Sequence, residues 1–251
     1  MVILVRIGMK RSNYYVGIFP TINTSLDNPY DDTSLVVESY IKRIYESNSI
    51  PICIFLENGE INYRLLEMCD AFILPGGHRI NACVYKVLEY ARINKKPVLG
   101  ICMGMQAMSI YSVIIDMLND NYNEILFKEC YDKQKENNPV LVPVKNENIH
   151  KRNVKKNNFN DARHRIIVKD KSILSTLTNQ CNVISLHRYM VSRIGKIFNI
   201  GAISEDGVIE AIESNISDLL WLGVQFHPEL EDNNNLIVNF INLAKKQKNK
   251  H

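Results

Sequence analysis

The sequence predicts an α/β protein whose sheet is parallel in the first half of the chain and mixed in the second. Three observations carry this reading: β-branched apolar runs recur through the first half, amphipathic helical stretches separate them, and short strands dominate after Arg165. Strands that alternate with helices build a parallel sheet covered on both faces.

Val2 to Ile7 is a continuous apolar run and is expected as a first, central strand buried on both sides. Thr33 to Ser47 follows with Val37, Ile41, Ile44 and Tyr45 at helical spacing, so an amphipathic helix is expected there. Ile50 to Phe55 reads as the next strand, Glu60 to Cys69 as a helix, and Ala71 to Leu74 as a strand that stops at Pro75, Gly76, Gly77. A helix from Asn81 to Asn94, a strand from Pro97 to Ile101 and a helix from Met103 to Met117 complete the alternation. From Leu118 to Ala162 the pattern gives way to Asn, Lys, Asp and Glu, with one apolar island at Val140 to Val144, and a partly disordered surface excursion is expected. Strands are then expected at Ile166 to Val168, Val183 to Leu186, Phe198 to Ile203, Val208 to Glu213 and Leu219 to Phe226, before a last helix from Asn235 to Lys246.

The chain has 251 residues, 46% hydrophobic and 23% charged, which excludes collagen-like, wholly disordered and disulfide-scaffold classes. The expected organisation is one domain over residues 1–246, with a polar surface insertion at 118–162 and a basic tail at 247–251. Thirty basic and 27 acidic side chains leave a net charge of +3, too balanced for a polyanion-binding chain. The basic stretch from Lys145 to Arg165 has Phe159 as its only aromatic residue, so base stacking has little to work with and no nucleic-acid partner is expected. No apolar run reaches the roughly 18 residues of a membrane span, and the N-terminal run is too short for a signal peptide. The cytoplasm is the expected location, with no membrane partner. The six cysteines form no CxxC pair, so no metal and no cofactor are expected. Five of them, Cys53, Cys69, Cys83, Cys130 and Cys181, are expected to be packing residues.

Gly100 to Gly104, GICMG, joins a strand directly to a helix, as in a nucleophile elbow with sulfur in place of a serine oxygen. Cys102 would stand at a helix N-terminus, which favours thiolate, and the Met103 N–H would point to the same spot as half of an oxyanion hole. The other half is sought in the loop of Gly76, Gly77 and His78, because strand ends on one edge of a parallel sheet converge on one crevice. Taken alone, the glycines have a second reading as turn punctuation, and Cys102 one as a buried structural thiol. Near the end of the last strand, Pro228 biases His227 towards an extended conformation, which would turn His227 and Glu229 to the same side. A carboxylate on one imidazole nitrogen leaves the other to take a proton from a thiol. Without the elbow, a turn with a surface carboxylate explains this segment as well.

PVLGICMGMQ at Pro97 to Gln106, LPGG at Leu74 to Gly77 and WLGVQFHPEL at Trp221 to Leu230 together resemble the class I glutamine amidotransferase family, in the same order along the chain. SLH at Ser185 to His187 and EDGVIEAIE at Glu205 to Glu213 are similar to its peptidase C26 branch, typified by gamma-glutamyl-gamma-aminobutyrate hydrolase. The resemblance implies a flavodoxin-like α/β fold, with a central, mostly parallel sheet flanked by helices. It also implies a triad of Cys102 as nucleophile, His227 as base and Glu229 as orienting residue, with backbone N–H groups at Gly77 and Met103 as the oxyanion hole. The chemistry implied is hydrolysis of a small γ-glutamyl amide through a thioester. Gln106, His187 and Arg188 are the substrate-binding candidates. Arg188 and Tyr189 stand where the branch often has histidine and glutamine, and Met103 where it often has arginine; His78 has no counterpart that explains it. With no synthetase segment among these residues, a stand-alone hydrolase is expected first. A glutaminase subunit for a separate synthetase and a non-catalytic binding protein on the same scaffold are the alternatives, and a homodimer is left open.

Overall fold

In this computed structural model, residues 14–23, 33–150 and 159–248 are described. Nine strands among them share one sheet: β1 (Tyr15–Ile18), β2 (Ile50–Cys53), β3 (Ala71–Leu74), β4 (Val98–Ile101), β5 (Arg163–Val168), β6 (Asn182–Ile184), β7 (Phe198–Ser204), β8 (Ile209–Ser214) and β9 (Trp221–Val224). Their spatial order is β6-β5-β7-β8-β9-β4-β3-β1-β2. The five strands from β9 to β2 are parallel. From β9 outward through β8, β7, β5 and β6 every pairing is antiparallel.

The continuous apolar runs follow from burial on both faces. In β3, Phe72 and Leu74 enter one core cluster while Ala71 and Ile73 enter the other. The first cluster lies under α3 (Cys83–Ile93) and α4 (Met103–Met117), and takes in Val87, Leu88, Met108, Tyr111 and Trp221. The second is covered by α1 (Glu38–Glu46) and α8 (Leu236–Lys248), through Tyr40, Ile44, Phe240 and Ile241. A strand so enclosed needs apolar side chains at every position, which is why alternation is absent from its sequence.

Several boundaries differ from expectation. The expected strand Val2 to Ile7 lies outside the described residues, and the strand between β3 and β2 is Tyr15–Ile18, which the sequence reading passed over. Helix α1 starts at Glu38; Thr33–Leu35 instead pairs with Thr21–Asn23 as a small ribbon. The buried face of α1 is Tyr40, Arg43 and Ile44, whereas Val37 and Tyr45 are exposed. Likewise Glu60–Ile61 is a short strand, and α2 is Tyr63–Met68, opened by the Asn62 side chain accepting the Arg64 N–H. The described part of the 118–162 excursion is ordered rather than irregular. It forms α5 (Glu124–Asn137), capped by Asn123, a strand at Leu141–Pro143, and α6 (Glu147–His150). Only Phe127 and Gln134 of α5 are buried, with Phe127 set among Tyr85, Tyr111 and Tyr122, so a charged surface hid a helical period carried by few residues. Strand Tyr189–Val191, which pairs with Leu141–Pro143, and helix α7 (Ile173–Leu177) were also missed. Among the described residues no helix is long and apolar enough to cross a membrane.

Candidate active site

Strands β3, β4 and β9 are adjacent and parallel, so their C-terminal ends open on one crevice, and each delivers one part of the site. At the end of β4 the chain turns directly into α4. Cys102 occupies the corner at φ 50° and ψ −104°, a left-handed conformation that a non-glycine residue holds only when its surroundings enforce it. Enforcement is visible in the Cys102 N–H donating to Val224 O at 2.7 Å and the Cys102 carbonyl accepting from Gln106 N–H at 3.0 Å. The helix then passes so close to β3 that a Cβ on Gly104 would lie 2.0 Å from the Leu74 carbonyl oxygen. Cys102 is buried at the lip of the cleft, at the N-terminus of a 15-residue helix whose dipole favours an anion.

From the end of β9, Gln225 and Phe226 lead to His227. Its Nδ1–H donates to Glu229 Oε1 at 2.7 Å. The backbone differs from the extended run expected: Pro228–Leu230 is a single 3₁₀ turn, for which proline at the first position is pre-organised, and the turn still brings Glu229 under the imidazole. Burial disfavours a charge on His227. The Glu229 carboxylate and the Cys102 sulfur outweigh burial, and the imidazole is pushed well above its usual value. The arrangement therefore makes the His227 ring a strong acceptor for a proton from the sulfur beside it.

Tyr40, from α1, completes this set, and sequence reasoning missed it. Its hydroxyl donates to Glu229 Oε1 at 2.8 Å and accepts the Gly76 N–H at 3.1 Å. Burial keeps the phenol protonated far above its ordinary range, so it acts as a donor to the carboxylate. The available signal was its place four residues before Ile44, on the same helix face. Gly76 needs to lack a side chain because a Cβ there would sit 2.8 Å from His227 Cε1; at Gly77 one would sit 2.9 Å from Met103 Cε. Neither glycine has positive φ, so close approach rather than turn geometry explains the pair.

Cys102, Met103, Gly77 and His78 border a cleft of about 570 Å³, within the range of small-molecule sites. Gln106, His187 and Arg188 border it too, but differently. Arg188 is exposed and free to reach a ligand. Gln106 is a brace, its Nε2 donating to Tyr189 O at 3.1 Å and Gln225 Oε1 at 3.2 Å. His187 has both ring nitrogens turned to protein oxygens, Nδ1 to Tyr189 O at 2.9 Å and Nε2 towards Glu210 at 3.6 Å. Of the other thiols, burial pushes Cys53 up to about 11 and Cys69 up to about 12, which keeps both protonated. Cys181 is exposed, contrary to the expectation of packing.

The family model for Peptidase C26 matches residues 81–229, more than half of the chain. A glutamine amidotransferase-like protein of Rickettsia prowazekii is 28% identical over 78% of this chain and 83% of its own length. CTP synthase of Buchnera aphidicola is 30% identical over 85% of this chain, which spans 42% of that enzyme. Among solved structures, the CTPS glutaminase domain of Trypanosoma brucei with bound acivicin superposes with a TM-score of 0.63 at 18% identity, covering 93% of this chain and 94% of that one.

Proposed function

Because the chain belongs to the peptidase C26 family, within the class I glutamine amidotransferase-like proteins, we propose that it hydrolyses a small γ-glutamyl amide through a thioester on Cys102. The observation that carries this is a cysteine held in a left-handed elbow at a helix N-terminus, beside an imidazole whose far nitrogen is bonded to a buried carboxylate.

The Cys102 proton passes to His227 Nε2, and the thiolate attacks the γ-carbonyl carbon. The oxyanion is held by the N–H groups of Gly77 and Met103. Gly76 is unavailable because its N–H is bonded to Tyr40, and Met103 opens a helix whose first N–H groups have no intrahelical acceptor. As the tetrahedral intermediate collapses, His227 returns its proton to the departing amine, leaving the thioester. Water, deprotonated by His227, attacks that carbonyl; the C–S bond breaks, the sulfur recovers a proton, and glutamate leaves. Arg188, exposed at the cleft, has the planar fork that binds a carboxylate in two-point fashion. It is assigned to the α-carboxylate of the glutamyl group.

Likeness to CTP synthase over most of this chain favours glutamine itself as one substrate, with the ammonia used by a separate protein. A panel of γ-glutamyl amides including glutamine, with glutamate and amine both quantified, tests the two readings. Turnover by the isolated protein supports a stand-alone hydrolase; turnover of glutamine alone, and only with a second protein present, supports the glutaminase. In either case Cys102→Ser is expected to lower the rate by about 10³-fold or more, and hydrolysis that survives it overturns the mechanism.

A further inference from the structure

Behind the wall of the cleft that carries Arg188, four buried side chains converge: His150 at the end of α6, His164 on β5, His187 after β6, and Glu210 on β8. Their four nearest ligand atoms all lie within 4.8 Å of one another. One oxygen, Glu210 Oε1, stands 3.5 Å from His150 Nδ1, 3.4 Å from His164 Nε2 and 3.6 Å from His187 Nε2. We propose that these four residues bind a divalent transition-metal cation, with zinc the best fit, in a closed site that anchors the cleft wall.

The outer nitrogens decide the tautomers. His164 Nδ1 faces Arg165 O at 3.1 Å, His187 Nδ1 faces Tyr189 O at 2.9 Å, and His150 Nε2 faces both Asp206 carboxylate oxygens at 3.1 Å. Carbonyl and carboxylate oxygens only accept, so each outer nitrogen carries the hydrogen. A neutral imidazole then presents a lone pair on its inner nitrogen, and all three lone pairs aim at a carboxylate. Metal-binding histidines have this orientation, the far N–H held by a carbonyl or carboxylate.

Spacing separates a metal from a proton. A proton shared between imidazole and carboxylate draws the heavy atoms to about 2.7–2.9 Å. None of the three gaps has closed to that length. Tetrahedral bonds of about 2.0–2.1 Å instead put donor atoms roughly 3.3–3.4 Å apart, close to the three Glu210-to-imidazole separations found, and the ligand atoms as a set, within 4.8 Å of one another, would draw in on binding. His164 Nε2, His187 Nε2 and both Glu210 oxygens are buried without a hydrogen-bond partner, a costly arrangement for a carboxylate unless a cation compensates it. The Ser185 hydroxyl lies 3.4 Å from His150 Nδ1 as a further oxygen beside the cluster.

The four ligands come from separate segments, so a bound cation would staple α6 and the His187 turn to the antiparallel half of the sheet. Arg188 and Tyr189 follow directly on His187, and Tyr189 O holds Gln106. Glu210 O accepts the Gln225 N–H at 2.8 Å, two residues before His227. The cation would set the cleft wall without touching the reacting atoms.

The test is metal content of the full chain after exhaustive desalting, followed by chelation and titration with cobalt(II). About one equivalent of zinc and, after exchange, the intense visible absorption of tetrahedral cobalt are expected. Glu210→Gln and His164→Gln should retain less than a tenth of the metal, Asp206→Asn should weaken binding about 10–100-fold, and Cys102→Ser should keep the full equivalent. Wild-type protein that retains no zinc and gives no cobalt spectrum overturns the proposal, as does metal kept by Glu210→Gln and lost by Cys102→Ser. None of these readouts uses turnover, so the metal and the hydrolase can fail separately.

Discussion

His227 and His164 are both buried imidazoles near a glutamate, and they are set up for opposite tasks. His227 has a carboxylate at 2.7 Å on one nitrogen and a thiol at the other, so a proton can move along a line from sulfur to ring. At His164 the outer nitrogen is tied to a backbone carbonyl, and the inner one shares Glu210 with two other rings, so four potential ligand atoms face one another around a space for a cation. The first region lies at the C-terminal ends of parallel strands, open to the cleft. The second is sealed in the antiparallel half. Similar residues acquire different chemistry from what their second nitrogen meets and from access to solvent.

If that division is sound, the catalytic line should fail without disturbing the other cluster. The largest effect after loss of Cys102 belongs to Glu229→Gln, expected to lower kcat by about 10²–10⁴-fold through loss of the imidazolium's partner, while metal content stays at wild type. Parallel loss of both would break the comparison. Tyr40→Phe should follow at about 10-fold or more in kcat with KM little changed, since a hydrogen bond to a charged group contributes roughly 1.5–3 kcal/mol. A KM effect alone would move Tyr40 out of the proton line. Arg188→Ala should act the other way, raising KM about 10-fold with kcat near wild type, read from saturation curves over γ-glutamyl amides.

The smallest effect is on stability against pH. His227 is raised above its usual value in the folded state, so its contribution is complete below the unfolded value of about 6.5 and is lost as pH rises through the folded one. The gap in denaturant midpoint between wild type and Glu229→Gln should therefore be widest near pH 6 and narrow as the pH is raised. A gap that widens with pH would mean that His227 is not the group Glu229 serves.

The parallel core was legible because β3, β4 and β9 are buried on both faces and their sequences are unbroken apolar runs. The elbow was legible because Gly100 and Gly104 flank Cys102 where strand meets helix. Helix α5 was not, since Phe127 and Gln134 are its only buried residues and a period needs more than two points. Tyr40 escaped because its role depends on Glu229 and Gly76, 189 and 36 residues away, and no local pattern marks such a contact.

Local order in the chain thus specifies the buried strands, the turn and the cysteine at its corner, since each rests on neighbours within a few residues. Partnership is decided at longer range. That His227 faces a thiol, that Tyr40 holds the carboxylate, and that His150, His164, His187 and Glu210 meet at one point all depend on which strands the sheet sets side by side. A search for closely spaced cysteines passed over the last of these and led to the expectation of no metal. Its four ligands are local to nothing but the folded core.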